Sequence, residues 1–412
     1  MLTRWPKPGA FEVMLSDELE LENKGGWWEN RNKNAALILI FVTMLAAKLL
    51  TMLLPAKYFY DNNRILGMTN NDMNVDAWGG SYIVAADFFR IINIFGFTSM
   101  SQWSWFLGLA LTLIVFFMVL RLPEPDMVQT IFLLACVGLL NIYVFNIGKD
   151  AIQFLFFMAV YLILLVPIES SLLKIVLAAA VLYFESKVFR SYYMLIAAFV
   201  LAIYCILIVF RRNHKLPPAV KTTITVATMY LLVCAMMVMA SVAMHSEYEQ
   251  IMGIRDYSLT GREDDVDSVT IIKNWIGGDN STNLPLFLLN YLINAVRMMI
   301  PFELALKGVQ YLPFFFFQVA VTVYLVHLFG KLDEIQDNMQ FLAISIFLGY
   351  VLASVLFEPD FGSWVRHEAA TFPVLHLLVF SPNQRLSQWK RDISKLKKRV
   401  GRHSSVVAGV NN

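Results

Sequence analysis

The chain has 412 residues, of which 58% are hydrophobic and 16% are charged, and its formal net charge is +2. Soluble globular domains carry about a quarter charged residues, so this composition excludes an ordinary soluble domain. The near-neutral balance gives no indication of a nucleic-acid partner, and the three cysteines all lie in apolar runs, which excludes a disulfide framework. The composition therefore predicts an all-α polytopic integral membrane protein.

A polar segment, residues 1–34, opens the chain, and we expect it in the cytoplasm. The first apolar run starts only near Ala35, so no cleavable signal peptide is expected, and Lys48 inside that run is expected to extend toward the interface. A polar stretch, residues 55–101, follows. In its second half Asp87 and Arg90 lie three apart, so they share one face of a predicted interfacial or re-entrant helix over residues 80–97.

Ten apolar runs predict about ten transmembrane helices in one domain, residues 35–380, followed by a basic cytoplasmic tail, residues 381–412. The predicted spans are Ala35–Leu54, Gln102–Leu120, Met127–Ile147, Ala151–Val166, Leu173–Phe184, Tyr192–Phe210, Thr222–Ala243, Pro313–Gly330, Met339–Phe357 and Ala369–Phe380. The largest predicted outer loop covers residues 244–312, and its acidic run 263–267 is expected to be solvated. The sequence leaves open whether residues 284–300 cross the membrane or lie at its interface.

Lysine and arginine are distributed unevenly between the two sides of this predicted topology. With the N-terminus inside, the inner segments hold 20 of these residues and the outer segments hold 12. The positive-inside rule therefore places both termini in the cytoplasm and the charged clusters at the span junctions on the outer face.

Four polar clusters fall at or near the outer ends of predicted spans. Three are compact: Gly148-Lys149-Asp150, the turn with Glu185, Lys187 and Arg190, and the stretch with Glu358, Asp360, Arg366, His367 and Glu368. The fourth is a stripe of Asn290, Asn294 and Arg297, whose spacing places them on one face of an apolar helix. Because ionisable groups at membrane depth are costly, we expect the four clusters to converge on an outward-facing polar chamber.

The residue types in these clusters favour a substrate that carries phosphate. Arginine binds phosphate and diphosphate through paired, charge-assisted hydrogen bonds and keeps its charge at physiological pH. A histidine or carboxylate beside such a group can accept the proton of an attacking hydroxyl. No His-x-x-x-His or carboxylate-rich spacing predicts a metal site, so we expect neither a metal nor another cofactor.

The order of these motifs resembles that of the Wzy/EpsG-type bacterial polysaccharide polymerases. The residues that carry the resemblance are Gly148-Lys149-Asp150, Phe189-Arg190-Ser-Tyr-Tyr193, Asn290 to Arg297 with Pro301, and Asp360-Phe-Gly-Ser-Trp-Val-Arg366-His367 with Pro373. The resemblance covers the span layout and these short motifs, whereas residues 244–283 match no pattern of the family.

The resemblance implies a multi-span fold similar to the lipid-carrier-dependent, GT-C-like glycosyltransferases of the bacterial plasma membrane. It implies an enzyme that joins undecaprenyl-pyrophosphate-linked oligosaccharide units into capsule, exopolysaccharide or O-antigen on the outer face, without nucleotide sugar or metal. Expected partners are the lipid-linked oligosaccharide, membrane lipid, a flippase and a chain-length regulator.

Under this interpretation Arg366 and Arg190 would bind the pyrophosphate and stabilise the leaving-group charge, with Lys149 and Arg297 as further phosphate contacts. The other predicted substrate-binding residues are Asp150, Lys187, Asn290, Asn294 and Glu368.

The predicted proton acceptor is His367, oriented by Asp360 or Glu368, and Glu185 is the second choice. All of these residues fall at span junctions on the predicted outer face.

Two other functions stay open from the sequence. A polyprenyl-phosphate-sugar glycosyltransferase that adds a single sugar would place an acidic base in the first outer loop, where Asp72, Asp76 and Asp87 are available. A lipid-linked oligosaccharide flippase or other transporter would more often show internal repeats and charges along the midplane of several helices, and the sequence displays neither.

Overall fold

The computed structural model describes residues 31–77, 79–212, 216–243, 248–249, 270–277, 283–335 and 337–380. These residues form helices and no strand, apart from a single bridge between Ile271 and Asp360. The helices are α1 Arg31–Leu53, α2 Tyr60–Thr69, α3 Gly80–Ile92, α4 Met100–Leu120, α5 Met127–Leu139, α6 Lys149–Leu165, α7 Ser171–Val188, α8 Tyr193–Arg211, α9 Pro218–Ala243, α10 Leu284–Met299, α11 Phe302–Leu306, α12 Leu312–Gly330, α13 Asn338–Phe357, α14 Phe361–Ala370 and α15 Phe372–Val379. The acidic run 263–267 and the basic tail lie outside the described residues.

Within the described ranges, seven helical segments are long and apolar enough to cross a membrane, as expected for a polytopic membrane protein. They are Arg31–Leu53, Met100–Leu120, Met127–Val144, Tyr193–Arg211, Pro218–Val242, Leu312–Gly330 and Asn338–Phe357. The surface of α1 agrees with this, because Ile38, Val42, Leu45 and Leu49 form an exposed apolar stripe along the helix. A stripe of this kind suits lipid and would be costly in water.

The central helix of the bundle is α13. It packs against α8 and α15, and 94% of its most apolar window is buried, which explains why it is apolar on all sides. We call the end at which α13 finishes, Phe357, the upper end, and the end at which it begins, Asn338, the lower end. The neighbouring α8 runs antiparallel to it, because Arg211 at the end of α8 donates to the Asn338 side chain at 3.3 Å.

The predicted span Ala369–Phe380 covers α15 and the last two residues of α14, and the helix is broken between the two. Its break lies between α14 and α15, where Pro373 cannot donate a backbone hydrogen bond and the Thr371 hydroxyl donates to the Glu368 carbonyl at 2.7 Å. The two helices nevertheless lead from the upper to the lower end, since Gln340 at the start of α13 donates to the Leu378 carbonyl at 3.0 Å.

The end of α5 is unwound into a π-helix, Leu140–Val144, and Lys48 of α1 stabilises it. The Lys48 ammonium donates to the carbonyl oxygens of Asn141 at 2.7 Å and Phe145 at 2.8 Å, and to the Asn146 side chain at 3.4 Å. The prediction that Lys48 extends to the interface is therefore wrong, because the side chain is 1% exposed and all three of its protons have acceptors. A π-helix leaves carbonyls without their usual partners, and the lysine supplies donors for them.

The helix α10 covers most of residues 284–300, for which the sequence left open whether they cross the membrane. The helices on either side of it in the chain, α9 and α12, are antiparallel, because the Thr222 hydroxyl near the start of α9 donates to the Val326 carbonyl near the end of α12. The chain therefore leaves α9 and enters α12 at the same end of the bundle. Tyr291 of α10 donates to the Leu352 carbonyl at 3.1 Å, so α10 packs on the upper part of α13.

Candidate functional site

The carboxylate of Asp150 is the centre of a buried ionic cluster at the upper end. Its Oδ2 lies 2.8 Å from Nε of Arg366, and its Oδ1 lies 3.3 Å from Nη2 of Arg190 and 3.1 Å from Nε2 of His367. Asp150 stands in the first turn of α6, where a helix dipole favours negative charge. One carboxylate thereby joins residues from α6, the α7–α8 turn and α14.

Asp61 of α2 is the second carboxylate of the cluster, and it comes from the polar stretch 55–101. Its Oδ2 lies 3.4 Å from Nζ of Lys149 and 3.7 Å from Nη2 of Arg366, and its Oδ1 accepts a hydrogen bond from the Tyr82 hydroxyl at 2.7 Å. Burial acts to raise the pKa of Asp61, but the charges of Lys149 and Arg366 and the Tyr82 hydroxyl outweigh it and hold the pKa at about 2.

Further hydrogen bonds hold the arginine and histidine side chains in place. Arg190 donates through Nη1 to Oε1 of Gln153 at 2.7 Å and to the Tyr192 hydroxyl at 3.1 Å. Gln153 in turn donates to the His367 carbonyl at 3.1 Å, and Nδ1 of His367 lies 2.5 Å from Oε1 of Glu358. The cluster is thus preorganised by groups that do not themselves face outward.

Exposure divides this cluster into an accessible side and a deep side. The side chains of Asp61, Arg366 and Lys149 are 23%, 18% and 14% exposed. Those of Asp150 and Arg190 are 8% and 7% exposed. A ligand that arrives from the upper end would therefore meet Asp61, Arg366 and Lys149 first.

The approach of α2 to the cluster depends on a glycine. A Cβ atom at Gly148 would lie 2.4 Å from Nδ2 of Asn62, which donates to the Ile147 carbonyl at 2.8 Å. A larger residue at Gly148 would displace the Asn62 side chain and break its hydrogen bond to the Ile147 carbonyl.

His367 is not free to act as the predicted proton acceptor in this arrangement. Both of its ring nitrogens lie within 3.1 Å of a carboxylate oxygen, one of Glu358 and one of Asp150. The carboxylate at Nδ1 is Glu358, rather than Asp360 or Glu368 as predicted. Asp360 caps α14 instead, because its Oδ1 accepts from the Ser363 amide at 2.6 Å.

Arg297 belongs to a second polar cluster, built from α10, α11 and the segment 270–277. It forms a two-pronged ion pair with Glu303 at 2.7 and 2.6 Å and also donates to Asn294 at 2.7 Å. Its guanidinium lies 5.1 Å from the ring of Trp275, and Asn290 donates to the Ile276 carbonyl at 2.9 Å. The hydrogen bonds from Arg297 lower the pKa of Glu303.

The segment 270–277 also connects the two clusters. The Ile272 amide donates to the Pro359 carbonyl at 2.9 Å, immediately before α14. Arg297, Asn290 and Asn294 hold this segment, because they donate to the Lys273 carbonyl, the Ile276 carbonyl and the Asn274 side chain.

Three other predicted site residues lie outside the ionic cluster. Glu185 and Glu368 are completely buried, and neither carboxylate forms an ion pair with the Asp150 cluster in the described part of the chain. Lys187 is exposed on α7, where its ammonium lies 5.1 Å from the ring of Tyr183.

The structure brings together five of the predicted residues and adds others that the sequence analysis missed. The five are Lys149, Asp150, Arg190, Arg366 and His367. The added residues are Asp61, Tyr82, Gln153 and Tyr192, and Glu358, which the sequence analysis placed in the third polar cluster without a role, joins them. Their signal in the sequence was weak, because Asp61 is one of many polar residues in the stretch 55–101 and Gln153 lies inside an apolar run.

The carboxylates proposed for the single-sugar alternative lie elsewhere. Asp87 forms an exposed ion pair with Arg90 at 2.6 Å, as their spacing predicted, and Asp72 accepts from the Asn74 amide at 3.0 Å. The carbonyl of Asp76 accepts from Arg64. The carboxylate of this region that contacts the ionic cluster is Asp61.

No group of three or more His, Cys, Asp or Glu side chains in the described part of the chain could hold a metal ion. Comparisons with protein-family models, curated proteins and solved structures find no match to this chain.

Proposed function

We propose that the protein is a membrane glycosyltransferase that polymerises undecaprenyl-pyrophosphate-linked oligosaccharide units into a surface polysaccharide. The observation that carries the proposal is the convergence of Lys149, Arg190 and Arg366 at one end of an apolar helical bundle. Three cations at the end of membrane helices suit a diphosphate that is attached to a lipid.

The proposed topology has about ten spans, both termini in the cytoplasm, and the ionic cluster on the outer face of the bacterial plasma membrane. It adds α6, α7 and the broken pair α14–α15 to the seven long apolar segments. The unequal distribution of Lys and Arg between the two sides supports this orientation.

In the proposed reaction, the diphosphate would replace Asp61 at Lys149 and Arg366. Asp61 is the more exposed of the two carboxylates on Arg366, and its oxygen is the more distant, at 3.7 Å compared with 2.8 Å for Asp150. Asp150 would keep its contacts with Arg190 and His367. The cations would then stabilise the charge that develops on the diphosphate as its bond to the sugar breaks.

Asp61 is the residue that we propose as proton acceptor. Once the diphosphate takes over Lys149 and Arg366, the charges that hold the pKa of Asp61 at about 2 are neutralised and the carboxylate becomes more basic. The oxygen of the acceptor hydroxyl forms a bond to the anomeric carbon, its proton passes to Asp61, and the diphosphate leaves with the electron pair of the broken bond.

The test is the length of the glycan on a gel from cells that lack the gene and carry a variant. We expect Arg366→Ala and Arg366→Lys to abolish long polymer while single repeat units are still made, because lysine cannot replace the paired donors of arginine. Lys187→Ala is the matched control, since it removes an exposed cation at the same end. Polymer of normal length from Arg366→Ala, with the protein present in the membrane, would contradict the proposal.

The position of Asp61 also favours a second candidate, a polyprenyl-phosphate-sugar transferase that adds one sugar. Such an enzyme needs an acidic base from the first outer segment, and Asp61 stands at the cluster. Loss of the single repeat unit as well as the polymer in the gene deletion would favour this candidate. A purified protein that extends a lipid-diphosphate oligosaccharide into a ladder would exclude it.

A further inference from the structure

A second charged site lies at the lower end of the bundle, opposite the ionic cluster. It is a cavity of about 410 Å³ between the end of α8, the start of α7 and the start of α13, lined among others by Ser171, Tyr204, Arg211, Arg212 and Phe341. The 19 residues of α8 separate it from Arg190, which is about 28 Å along the helix axis. This cavity is independent of the proposed function.

Arg211 is held in a fixed position at the cavity. Its guanidinium lies 4.9 Å from the ring of Phe341 and donates to Asn338 at 3.3 Å. The Phe341 ring packs edge-on against Tyr204 at 6.0 Å. A guanidinium on an aromatic face keeps donors available for an anion and loses little conformational freedom when one binds.

The carboxylates near the cavity are already engaged with other groups. Asp333, which lines it, forms an ion pair with Lys221. Asp337 caps α13 by accepting from the Met339 amide at 2.9 Å, and it also interacts with Arg211 and Lys174. Two cations, Arg211 and Arg212, therefore line the cavity against one paired carboxylate, Asp333.

Two more features make the cavity favourable for an anion. The 18-residue helix α7 begins at Ser171 on the cavity wall, so the positive end of its dipole faces this region. Ile208 and Phe341 supply an apolar wall that continues along the membrane-spanning helices α8 and α13.

We propose that this cavity binds a phosphate group, the chemistry shared by anionic lipid headgroups and free phosphate. A basic pocket between the ends of transmembrane helices is suited to an anionic headgroup. The apolar wall would contact the acyl chains of a lipid, whereas free phosphate would use the arginines alone.

The experiment compares the wild-type protein with an Arg211→Ala/Arg212→Ala variant, both purified in neutral detergent. One arm measures binding of phosphatidylglycerol against phosphatidylcholine by native mass spectrometry, and the other measures binding of inorganic phosphate by calorimetry. We expect the variant to bind the phosphate-bearing probe at least about tenfold more weakly, the equivalent of one lost charge-assisted contact. The control is Arg31→Ala/Lys331→Ala, which removes two exposed cations from the same end.

The outcomes distinguish an anionic lipid headgroup from free phosphate as the bound group, and one of them overturns the proposal. Selective loss of phosphatidylglycerol in the variant assigns the cavity to a lipid headgroup, and loss of inorganic phosphate binding assigns it to a free phosphate. Equal binding by wild-type protein, variant and control in both arms would overturn the proposal. If Arg211→Ala/Arg212→Ala unfolds at a lower temperature than the control, Arg211→Gln/Arg212→Gln takes its place. Binding by this second variant that equals binding by the wild-type protein in both arms also overturns the proposal.

Discussion

Asp150 has three charged neighbours in the upper cluster, and they come from two separate parts of the chain, the α7–α8 turn and α14. It faces Arg190, Arg366 and His367 with a side chain that is 8% exposed. A buried charge that loses its partner is costly because neither water nor another group replaces it. We therefore expect the cluster to be required for the stability of the fold as well as for activity.

The substitution Asp150→Asn should lower the free energy of unfolding by about 3 kcal/mol or more, because it leaves buried cations uncompensated. Thermal unfolding of the purified protein in detergent measures the effect. Asp87→Asn is the matched control, since it breaks an exposed pair with Arg90 and should cost roughly 0–1 kcal/mol. Equal unfolding temperatures for the two variants would show that the cluster does not stabilise the fold.

The depressed pKa of Asp61 predicts a loss of stability in acid. The ordinary pKa of an aspartate is about 3.9. The folded value of about 2 means that the ionised carboxylate stabilises the protein above about pH 4, and that this contribution disappears as the pH falls toward 2. It amounts to about 2 kcal/mol.

In Asp61→Asn, the unfolding temperature should fall less steeply between pH 5 and pH 3 than in the wild-type protein. Scanning calorimetry at several pH values measures the difference. The same slope in both proteins would mean that Asp61 is not paired as the structure has it.

At the scale of elements, the π-helix at the end of α5 is the feature that sets the start of α6. It depends on Lys48, which donates to two carbonyls in the interior. Gly108 of α4 provides the space for this side chain, because a Cβ atom there would lie 2.2 Å from Cε of Lys48. Three helices are thus joined at one ammonium group.

Lys48→Met should destabilise the protein by about 1–3 kcal/mol for each carbonyl that loses its donor. Gly108→Ala should have a similar effect by displacing the ammonium, and the double variant should cost less than the sum because both changes act on one interaction. Thermal unfolding in detergent measures all three. Gly138→Ala is the control, since its nearest neighbour, Thr43, would be at an ordinary 3.8 Å; additive effects at Lys48 and Gly108 would contradict the coupling.

At the scale of the whole molecule, the ionic cluster and the cavity at Arg211 occupy opposite ends of one helical bundle. The helices α8 and α13 have 19 and 20 residues, so each is about 30 Å long, which is the thickness of the hydrocarbon core. The two charged sites therefore match the two faces of a membrane.

The proposed orientation predicts which end can be labelled from outside the cell. A membrane-impermeant maleimide should label Lys187→Cys in intact cells, whereas Lys331→Cys should react only after permeabilisation. Both positions are exposed, and they lie at the upper and the lower end. The native cysteines all lie in helices, and the unsubstituted protein provides the background signal. The opposite labelling pattern would invert the topology and place the cluster in the cytoplasm.

The class of the protein and the positions of most helices follow from the sequence by itself, because hydropathy is a local property of each run. The sequence also singled out Lys149, Asp150, Arg190, Arg366 and His367, because ionisable residues clustered at the ends of spans are expected to face a polar cavity or one another. From the sequence alone, nothing indicated that Arg297 lies in a different cluster from these five residues.

Only the tertiary structure decided which charges meet. Asp61 and Glu358 became partners of Arg366 and His367 because α2 and the end of α13 pack beside α14 at the upper end. Arg297 pairs instead with Glu303, six residues further along the chain, and Arg211 meets Asn338 across 127 residues. An ion pair or hydrogen bond requires its partners to lie within a few ångströms of each other. For residues that are distant in the sequence, the packing of the helices determines whether they come that close.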